Sequence, residues 1–265
     1  MTTLELRDVV KEYRLRGGRR GQTLAAVQNV SLTVESGRTV ALVGQSGSGK
    51  STIAKLLMQL ERPTSGQILL DGKPIGRHGR ALREYRKNVQ MVFQDPFASL
   101  NPFHTVAHHL ERPLRLHGRG RSADEIERLV HGLLERVRLE PAELVARRRP
   151  HELSGGQRQR VAIARALAPE PSILVADEPV SMLDVSIRLG VLNLLADLQR
   201  ESNLGVLYIT HDLATARHFS DEILVMRGGE IVERGPSDDV ILDPQHEYTK
   251  LLLDASPNPE KRLAQ

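Results

Sequence analysis

The chain has 265 residues, of which 40% are hydrophobic and 26% are charged, an ordinary composition for a globular protein. It contains no cysteine, which excludes a disulfide scaffold, a cysteine nucleophile, and a thiolate-bound zinc ion or iron–sulfur cluster. Its 37 basic and 33 acidic residues leave a net charge of only +4, and Trp is absent, so composition gives little support for nucleic-acid binding. No apolar run approaches the roughly 18 residues that span a bilayer, and we expect no signal peptide.

Short apolar or alternating runs predict strands in the first third of the chain. The predicted strands cover residues 4–10, 26–34, 39–43, 68–70 and 89–93. We expect a basic, glycine-rich hairpin loop over residues 14–21, between the first two strands. The third strand is a short apolar, β-branched run, as is typical of a strand buried in a parallel sheet. A helix is expected after it, with an apolar stripe from Ile53 to Leu60 and an end at Pro63.

The pattern becomes helical between about residues 95 and 151, where no strand is predicted. Ser122 and Glu125 have the spacing of a capping box ahead of one of these helices. A further helix is predicted from Ser154 to Ala168, because Pro169 stops the pattern there. We therefore predict a helical insert within a chain that otherwise contains strands.

Strands alternate with helices again in the remainder of the chain. The predicted strands cover residues 172–176, 205–210, 222–226 and 230–233. A long helix is expected over 186–200, and residues 227–230 predict a hairpin turn. This alternation on both sides of the insert indicates an α/β fold.

Residues 44–51 match the phosphate-binding pattern G-x-x-x-x-G-K-[ST] at every fixed position, between a predicted buried strand and a predicted helix. Glycines let such a loop curl so that its N–H groups point at phosphate oxygens, at the positive end of a helix dipole. Lys50 would neutralise phosphate charge, and Ser51 would hold Mg²⁺. The candidate nucleotide-binding residues of this segment are Gly44, Gln45, Ser46, Gly47, Ser48, Gly49, Lys50, Ser51 and Thr52.

Asp177 and Glu178 end an apolar predicted strand. A carboxylate at the end of such a strand suits a Mg²⁺ ligand, as in Walker-B sites, and we assign that role to Asp177. The adjacent Glu178 could orient or deprotonate an attacking water. These residues and the phosphate-binding loop together predict a Mg²⁺-dependent nucleotide phosphohydrolase.

A second helix start offers another place for a phosphate, about twenty residues before these carboxylates. Its candidate residues are Ser154, Gly155, Gly156 and Gln157. Their N–H groups would form an anion-binding helix terminus. One nucleotide needs only one such loop, so the second one indicates a phosphate held by another subunit.

These motifs resemble those of the ATP-binding cassette (ABC) transporter ATPases, and the resemblance extends over essentially the whole chain. It implies that Gln94 is the Q-loop glutamine, which senses Mg²⁺ or water, and that His211 is the switch histidine that reaches the γ-phosphate. It implies catalytic roles for Glu178 and Lys50 beside them. The expected cofactors are ATP and Mg²⁺, with Ser51, Gln94 and Asp177 as the metal ligands.

The resemblance also assigns residues that contact the rest of the nucleotide. Tyr13 is similar to the aromatic residue that stacks on adenine. Ser154 and Gly156 are similar to the signature residues that contact the γ-phosphate across a dimer of cassettes. Residues 181–184 resemble the D-loop, with Met182 where Ala is more usual.

The resemblance implies a fold and a division of the chain. The fold is α/β, a P-loop NTPase core with a RecA-like parallel sheet and helices on both faces, an N-terminal antiparallel β-subdomain and a helical insert. The whole chain, 1–265, would be one nucleotide-binding domain. Its expected parts are a core at 1–94 and 165–243, a helical subdomain with the signature motif at 95–164, and a short helical tail at 244–265.

Two further stretches resemble the peptide and nickel importer ATPases. Residues 95–102 match their D-P-x-x-S-L-N-P segment, and residues 246–257 match their H-x-Y-T-x-x-L-L-x-x-x-P ending. Glu247 stands where proline is more usual in that ending. Some members continue into a cysteine-containing extension with an iron–sulfur cluster, which a chain without cysteine cannot hold.

The expected function is therefore ATP hydrolysis that drives uptake of a small solute, in the first place di- or oligopeptides. Nickel and oligosaccharides remain open as cargo. A soluble ABC ATPase that acts on nucleic acid or ribosomes is an alternative, although those usually carry tandem cassettes or coiled-coil inserts. A non-hydrolysing scaffold is another, disfavoured because the expected catalytic residues are all present.

The resemblance implies partners and a location as well. We expect a second ATP-binding subunit, a different but paralogous chain, and two transmembrane permease subunits. An extracytoplasmic solute-binding protein would act indirectly, and no nucleic acid is expected. The chain would be peripheral, at the cytoplasmic face of the plasma (inner) membrane.

Overall fold

The structure, a computed structural model, describes residues 1–14, 23–76 and 78–255. The strands are β1 (Thr3–Arg14), β2 (Thr23–Glu35), β3 (Thr39–Val43), β4 (Ser65–Leu70), β5 (Lys73–Pro74), β6 (Val89–Val92), β7 (Ile173–Asp177), β8 (Gly205–Thr210), β9 (Glu222–Arg227) and β10 (Glu230–Pro236). The helices are α1 (Lys50–Leu57), α2 (Gly79–Asn88), α3 (Pro96–Ser99), α4 (Val106–Leu116), α5 (Ala123–Arg136), α6 (Ala142–Arg147), α7 (Gly155–Leu167), α8 (Val185–Ser202), α9 (Leu213–Phe219), α10 (Ser237–Leu242) and α11 (Glu247–Ala255). Nearly all of the predicted basic loop lies outside the described residues.

The chain divides into two compact units, each built from separate segments. The first unit comprises Met1–Thr2, Glu35–Gly37 and Ile75–Val206. The second comprises Thr3–Val34, Arg38–Pro74 and Leu207–Gln265. The expected subdivision into core, helical subdomain and tail stays a prediction.

The second unit contains an antiparallel sheet with the strand order β2-β1-β4-β5. It also contains β3 and β9, which pair in parallel, and β10, which pairs antiparallel with β9. Every residue of β3 is buried, as its largely apolar sequence predicts. The β9–β10 hairpin turns at Gly228 and Gly229, which both have positive φ as a type I′ turn requires, so the predicted hairpin is confirmed.

The first unit contains the parallel pair of β6 and β7, together with the helical insert. Helices α4, α5 and α7 begin at residues whose hydroxyl groups accept a backbone N–H of the first turn: Thr105, Ser122 and Ser154. The apolar stripes of α4 and α5 are buried, as their spacing predicts. Parallel strands flanked by helices, a separate antiparallel sheet and a helical insert confirm the α/β fold class. Among the described residues, no helix has the length and apolar content to cross a membrane.

Two local predictions are wrong. Helix α1 ends at Leu57 rather than at Pro63, because Gln59 adopts a left-handed conformation with φ 55°, and Leu60 is 64% exposed. The capping box at Ser122 is only half formed: the Ser122 hydroxyl accepts the N–H of Glu125, but the Glu125 carboxylate accepts the N–H of Arg121 instead. Helices α2, α9 and α10 were not predicted.

Gly66 allows a close approach between two strands of the antiparallel sheet. The β1–β4 register shifts between Arg7 and Val10, where Asp8 has a positive φ, and Gly66 of β4 lies beside that irregularity. Gly66 has φ 83°, and a Cβ there would lie 2.3 Å from the carbonyl oxygen of Asp8. Gly72 also has a positive φ, 71°, but a Cβ there would meet nothing within 4 Å.

We therefore expect different costs for Gly66→Ala and Gly72→Ala. In both variants an alanine must adopt a positive φ, which lowers the free energy of unfolding by about 1 kcal/mol. Only Gly66→Ala must also displace β1, and its total loss should be about 3 kcal/mol. Urea unfolding of the two variants measures this difference. Equal losses of unfolding free energy would contradict the close-approach explanation.

Candidate functional site

The phosphate-binding loop lies between β3 and α1, as predicted, and Lys50 closes it. Lys50 is 5% exposed, and its ammonium donates to the carbonyl oxygens of Gly44, at 2.6 Å, and Gln45, at 2.9 Å. The N–H of Ser48 donates to the carbonyl oxygen of Gln45 at 3.2 Å, within the same loop. Because α1 begins at Lys50, the loop leads directly into a helix N-terminus, where unpaired N–H groups and the helix dipole favour an anion.

Neighbouring strands of the second unit hold this loop in place. The N–H of Gly229 donates to the carbonyl oxygen of Ser48 at 2.9 Å. A Cβ at Gly44 would lie 2.2 Å from the carbonyl oxygen of Met226, and one at Gly49 would lie 2.4 Å from that of Ala26. These two glycines are therefore required by the close approach of other backbone, in addition to the curl of the loop.

His211 follows β8, whose residues are all buried, and it precedes α9. Asp212 caps that helix, since its carboxylate accepts the N–H groups of Ala214 at 2.9 Å and Thr215 at 3.3 Å. The cap fixes the backbone directly after His211. Sequence reasoning did not single out Asp212, although an aspartate ahead of a helix is itself a recognisable cap signal.

In the first unit, the structure brings Gln94 and Glu178 together. Because β6 and β7 are parallel and paired from Val89–Ile173 to Val92–Ala176, the residues that follow them lie at one edge. There the amide nitrogen of Gln94 donates to the Glu178 carboxylate at 3.1 Å. Glu178 has φ 45°, an uncommon conformation for a residue other than glycine and one that often marks functional sites.

The residues of the predicted second phosphate site form a complete capping box at the start of α7. The Ser154 hydroxyl accepts the N–H of Gln157 at 3.2 Å, and the Gln157 side-chain oxygen accepts the N–H of Ser154 at 3.0 Å. Ser154 is exposed, and its hydroxyl proton can still be donated to a ligand. Gly156 is buried, and a Cβ there would lie 2.7 Å from a methyl carbon of Ile187, which explains the glycine.

Tyr13 is half-buried near the end of β1, with the Lys11 ammonium 4.9 Å from the centre of its ring. The ring is thus in a cation–π contact, and stacking of Tyr13 on adenine stays a prediction. Among the described residues, no cluster of three or more histidines, aspartates or glutamates is placed to hold a metal ion.

Two features define the P-loop class of nucleotide-binding ATPases. One is a loop, closed by a buried lysine, between a buried strand and a helix. The other is a carboxylate that follows a pair of parallel strands and accepts a hydrogen bond from a glutamine. The comparisons with known proteins narrow this class. The family model for ABC transporters matches residues 27–181.

Relatives and solved structures extend the match beyond that segment. The oligopeptide transport ATP-binding protein AppF of Bacillus subtilis is 45% identical over 98% of this chain and 80% of its own length. The glutathione import ATP-binding protein GsiA of Salmonella choleraesuis is 45% identical over 96% of this chain, which spans 41% of GsiA. A dimeric structure of the ATP-binding cassette MJ0796, in a post-hydrolysis state with ADP and Pi, superposes with a TM-score of 0.77 at 33% identity, over 88% of this chain and 98% of MJ0796.

The chain belongs to the ABC transporter family, and it is one of that family's ATP-hydrolysing cassettes. This confirms the resemblance and the P-loop cassette fold that the sequence predicts. The particular roles of Lys50, Gln94, Glu178 and His211 stay predictions.

Ser154 and Ser122 offer a matched test of the second phosphate site. Both cap helices of the first unit by accepting the N–H three residues ahead. We expect Ser154→Ala and Ser122→Ala each to lower the free energy of unfolding by about 1 kcal/mol. Only Ser154→Ala should also lower ATP turnover, by about tenfold or more, because it removes a donor predicted to contact phosphate.

Urea unfolding and phosphate release measure the two effects separately. The wild-type chain, assayed at the same protein concentration, is the reference for both. Equal turnover in the two variants would contradict a phosphate-binding role for Ser154.

Proposed function

We propose that the chain is the ATP-hydrolysing subunit of a membrane importer for di- or oligopeptides. Two of its relatives support this cargo, since AppF is named for oligopeptide transport and GsiA for import of glutathione, itself a short peptide. The matches at residues 95–102 and 246–257 support the same group. Neither relative is named for nickel or an oligosaccharide, so peptides are favoured among the three.

The phosphates of ATP would bind at the loop of residues 44–52. Two carbonyl oxygens already hold the Lys50 ammonium at the loop, which supports its proposed role in binding the phosphates there. We propose Ser51, Gln94 and Asp177 as ligands for Mg²⁺; all carry the oxygen donors that this ion prefers, and one or two protein ligands suffice when phosphates supply others. Bound there, Mg²⁺ would neutralise charge on the phosphates.

The Gln94–Glu178 pair is the observation that carries the proposed hydrolysis. Glu178 would accept a proton from water as the water oxygen bonds to the γ-phosphorus and the bond to the ADP oxygen breaks. A hydrogen bond from Gln94 holds the carboxylate in one orientation. His211 would donate to the γ-phosphate, and the products are ADP and inorganic phosphate.

The signature residues Ser154 and Gly156 would contact the γ-phosphate of a second cassette. The exposure of Ser154 at the start of α7 supports this contact, and MJ0796 forms a dimer in its solved structure. The partner subunits in our proposal are a second cassette chain and two permease subunits, with a solute-binding protein outside the membrane. The chain would be peripheral, at the cytoplasmic face.

Glu178→Gln tests the proposed chemistry. The substitution keeps the shape and the hydrogen-bonding capacity but removes the base, so ATP turnover should fall by about 100-fold or more while ATP binding persists. Because the bound ATP is not hydrolysed, the ATP-bound dimer should accumulate, which light scattering detects. Glu170→Gln is the control, because Glu170 carries an exposed ion pair with Arg119 in the same unit and should leave turnover unchanged.

Turnover by Glu178→Gln equal to that of the wild type would contradict the assignment of Glu178. Full activity in a dilute monomer would contradict the contribution of Ser154 to a second cassette. Stimulation of the assembled transporter's ATPase by a nickel- or oligosaccharide-loaded binding protein, and not by a peptide-loaded one, would overturn the proposed cargo.

A further inference from the structure

Tyr248, at the start of the last described helix, contacts the phosphate-binding loop directly. The N–H of Gln45 donates to the Tyr248 hydroxyl at 3.1 Å. Tyr248 is only 6% exposed, and the Arg227 guanidinium lies 5.0 Å from the centre of its ring. Burial of the ring therefore fixes the position of the Tyr248 hydroxyl beside the loop.

The segment before α11 is anchored independently of the loop. The N–H groups of Gln245 and His246 donate to the two carboxylate oxygens of Glu233, at 2.7 and 3.1 Å. Burial by itself would raise the pKa of Glu233, but the groups that donate to its carboxylate, among them the N–H groups of Gln245 and His246, outweigh burial and lower the pKa, so this anchor is ionised at neutral pH. The N–H of Tyr248 donates in turn to the His246 ring nitrogen Nδ1 at 3.0 Å, which fixes the backbone that carries the tyrosine.

Gln45 connects this anchored segment to the catalytic lysine. Its N–H is held by Tyr248, and its carbonyl oxygen accepts from the Lys50 ammonium at 2.9 Å. Both backbone groups of one loop residue are thus committed, one to the tail and one to Lys50. The position of the Lys50 ammonium consequently depends on where Tyr248 holds Gln45.

We propose that Tyr248 is a positioning residue for nucleotide binding, whose hydroxyl holds the phosphate-binding loop and Lys50 in the arrangement that receives phosphate. The inference rests on the proposed function, because it concerns the same nucleotide site. A loop held in its binding shape before the ligand arrives pays less ordering entropy on binding. The tail of the chain therefore sets nucleotide affinity without contacting the nucleotide.

Tyr248→Phe isolates the hydroxyl, because it keeps the ring against Arg227. The part-buried N–H of Gln45 then loses its partner, and we expect Kd for ADP and KM for ATP to rise about tenfold, as the loss of one such hydrogen bond predicts. The kcat should change by less than the KM, since Gln94, Glu178 and His211 are untouched. ADP binding is measured by calorimetry on the full chain, and KM and kcat by phosphate release.

Tyr208→Phe is the matched control. Tyr208, in β8, is likewise a buried tyrosine, and its hydroxyl donates to the side chain of Thr215 at 3.2 Å. Its removal should lower thermal stability by a similar amount and leave Kd for ADP unchanged. A wild-type Kd in Tyr248→Phe, or an equal rise in both variants, would overturn the proposal.

Hydrogen exchange gives a second readout that a purely structural tail would not show. In the wild type, the Gln45 amide should exchange slowly without nucleotide, and ADP should slow exchange in α11, because coupling between two sites is reciprocal. In Tyr248→Phe, ADP should no longer slow exchange in α11. A fast-exchanging Gln45 amide in the wild type would overturn the inference even if the variant failed to fold.

The same experiments separate this inference from the proposed function. Wild-type chain that does not bind ADP would contradict the nucleotide site itself, and the positioning role with it. Wild-type chain that binds and hydrolyses ATP, with a Tyr248→Phe variant that behaves identically, would leave the proposed function intact and reject only the role of Tyr248.

Discussion

The nucleotide-binding loop depends on one buried ammonium group. A buried charge is costly unless it has partners, and the Lys50 ammonium donates to the carbonyl oxygens of Gly44 and Gln45. For these carbonyl oxygens to reach the ammonium, the loop must fold back over the start of α1. That shape brings Gly44 so close to the carbonyl oxygen of Met226 that no side chain fits between them. The motif is local in sequence, but its shape is secured by β9, which pairs in parallel with β3.

This division explains what could be predicted about the site. The spacing of Gly44, Gly49 and Lys50 was sufficient to predict the loop, because the curl and the lysine contact are set within a few residues. The long-range partners left no sequence signal of their own. Gly229 and Tyr248 hold the loop through a backbone N–H and a hydroxyl, and nothing in their immediate sequence indicates which loop they meet.

The fold shows the same contrast. Strands such as β3 and β8 were predicted because a fully buried strand needs an uninterrupted apolar run, which is visible directly. Helix α2 was missed because Tyr85 is its only buried residue, so it carries no apolar stripe. The end of α1 was misplaced because Leu60 continues the apolar spacing although the chain has already turned at Gln59. Hydrophobic periodicity indicates which face of an element is buried. It therefore fails to predict a helix that is mostly exposed, and it misplaces a helix end when an apolar residue is exposed.

The two predicted phosphate sites of the chain are built in different ways, which bears on the proposed pairing of two cassettes. At the loop, Gly44 and Gly49 lie against the backbone of other strands and Lys50 donates to carbonyl oxygens of the loop itself, so the loop holds its shape without a ligand. At α7, the capping box of Ser154 and Gln157 satisfies the helix end, yet the serine is exposed and retains a proton to donate. Such a group is ready to contact phosphate but encloses none. A helix end of that kind gains its ligand when a second surface brings one, and this requirement favours hydrolysis in a pair of cassettes over hydrolysis in one.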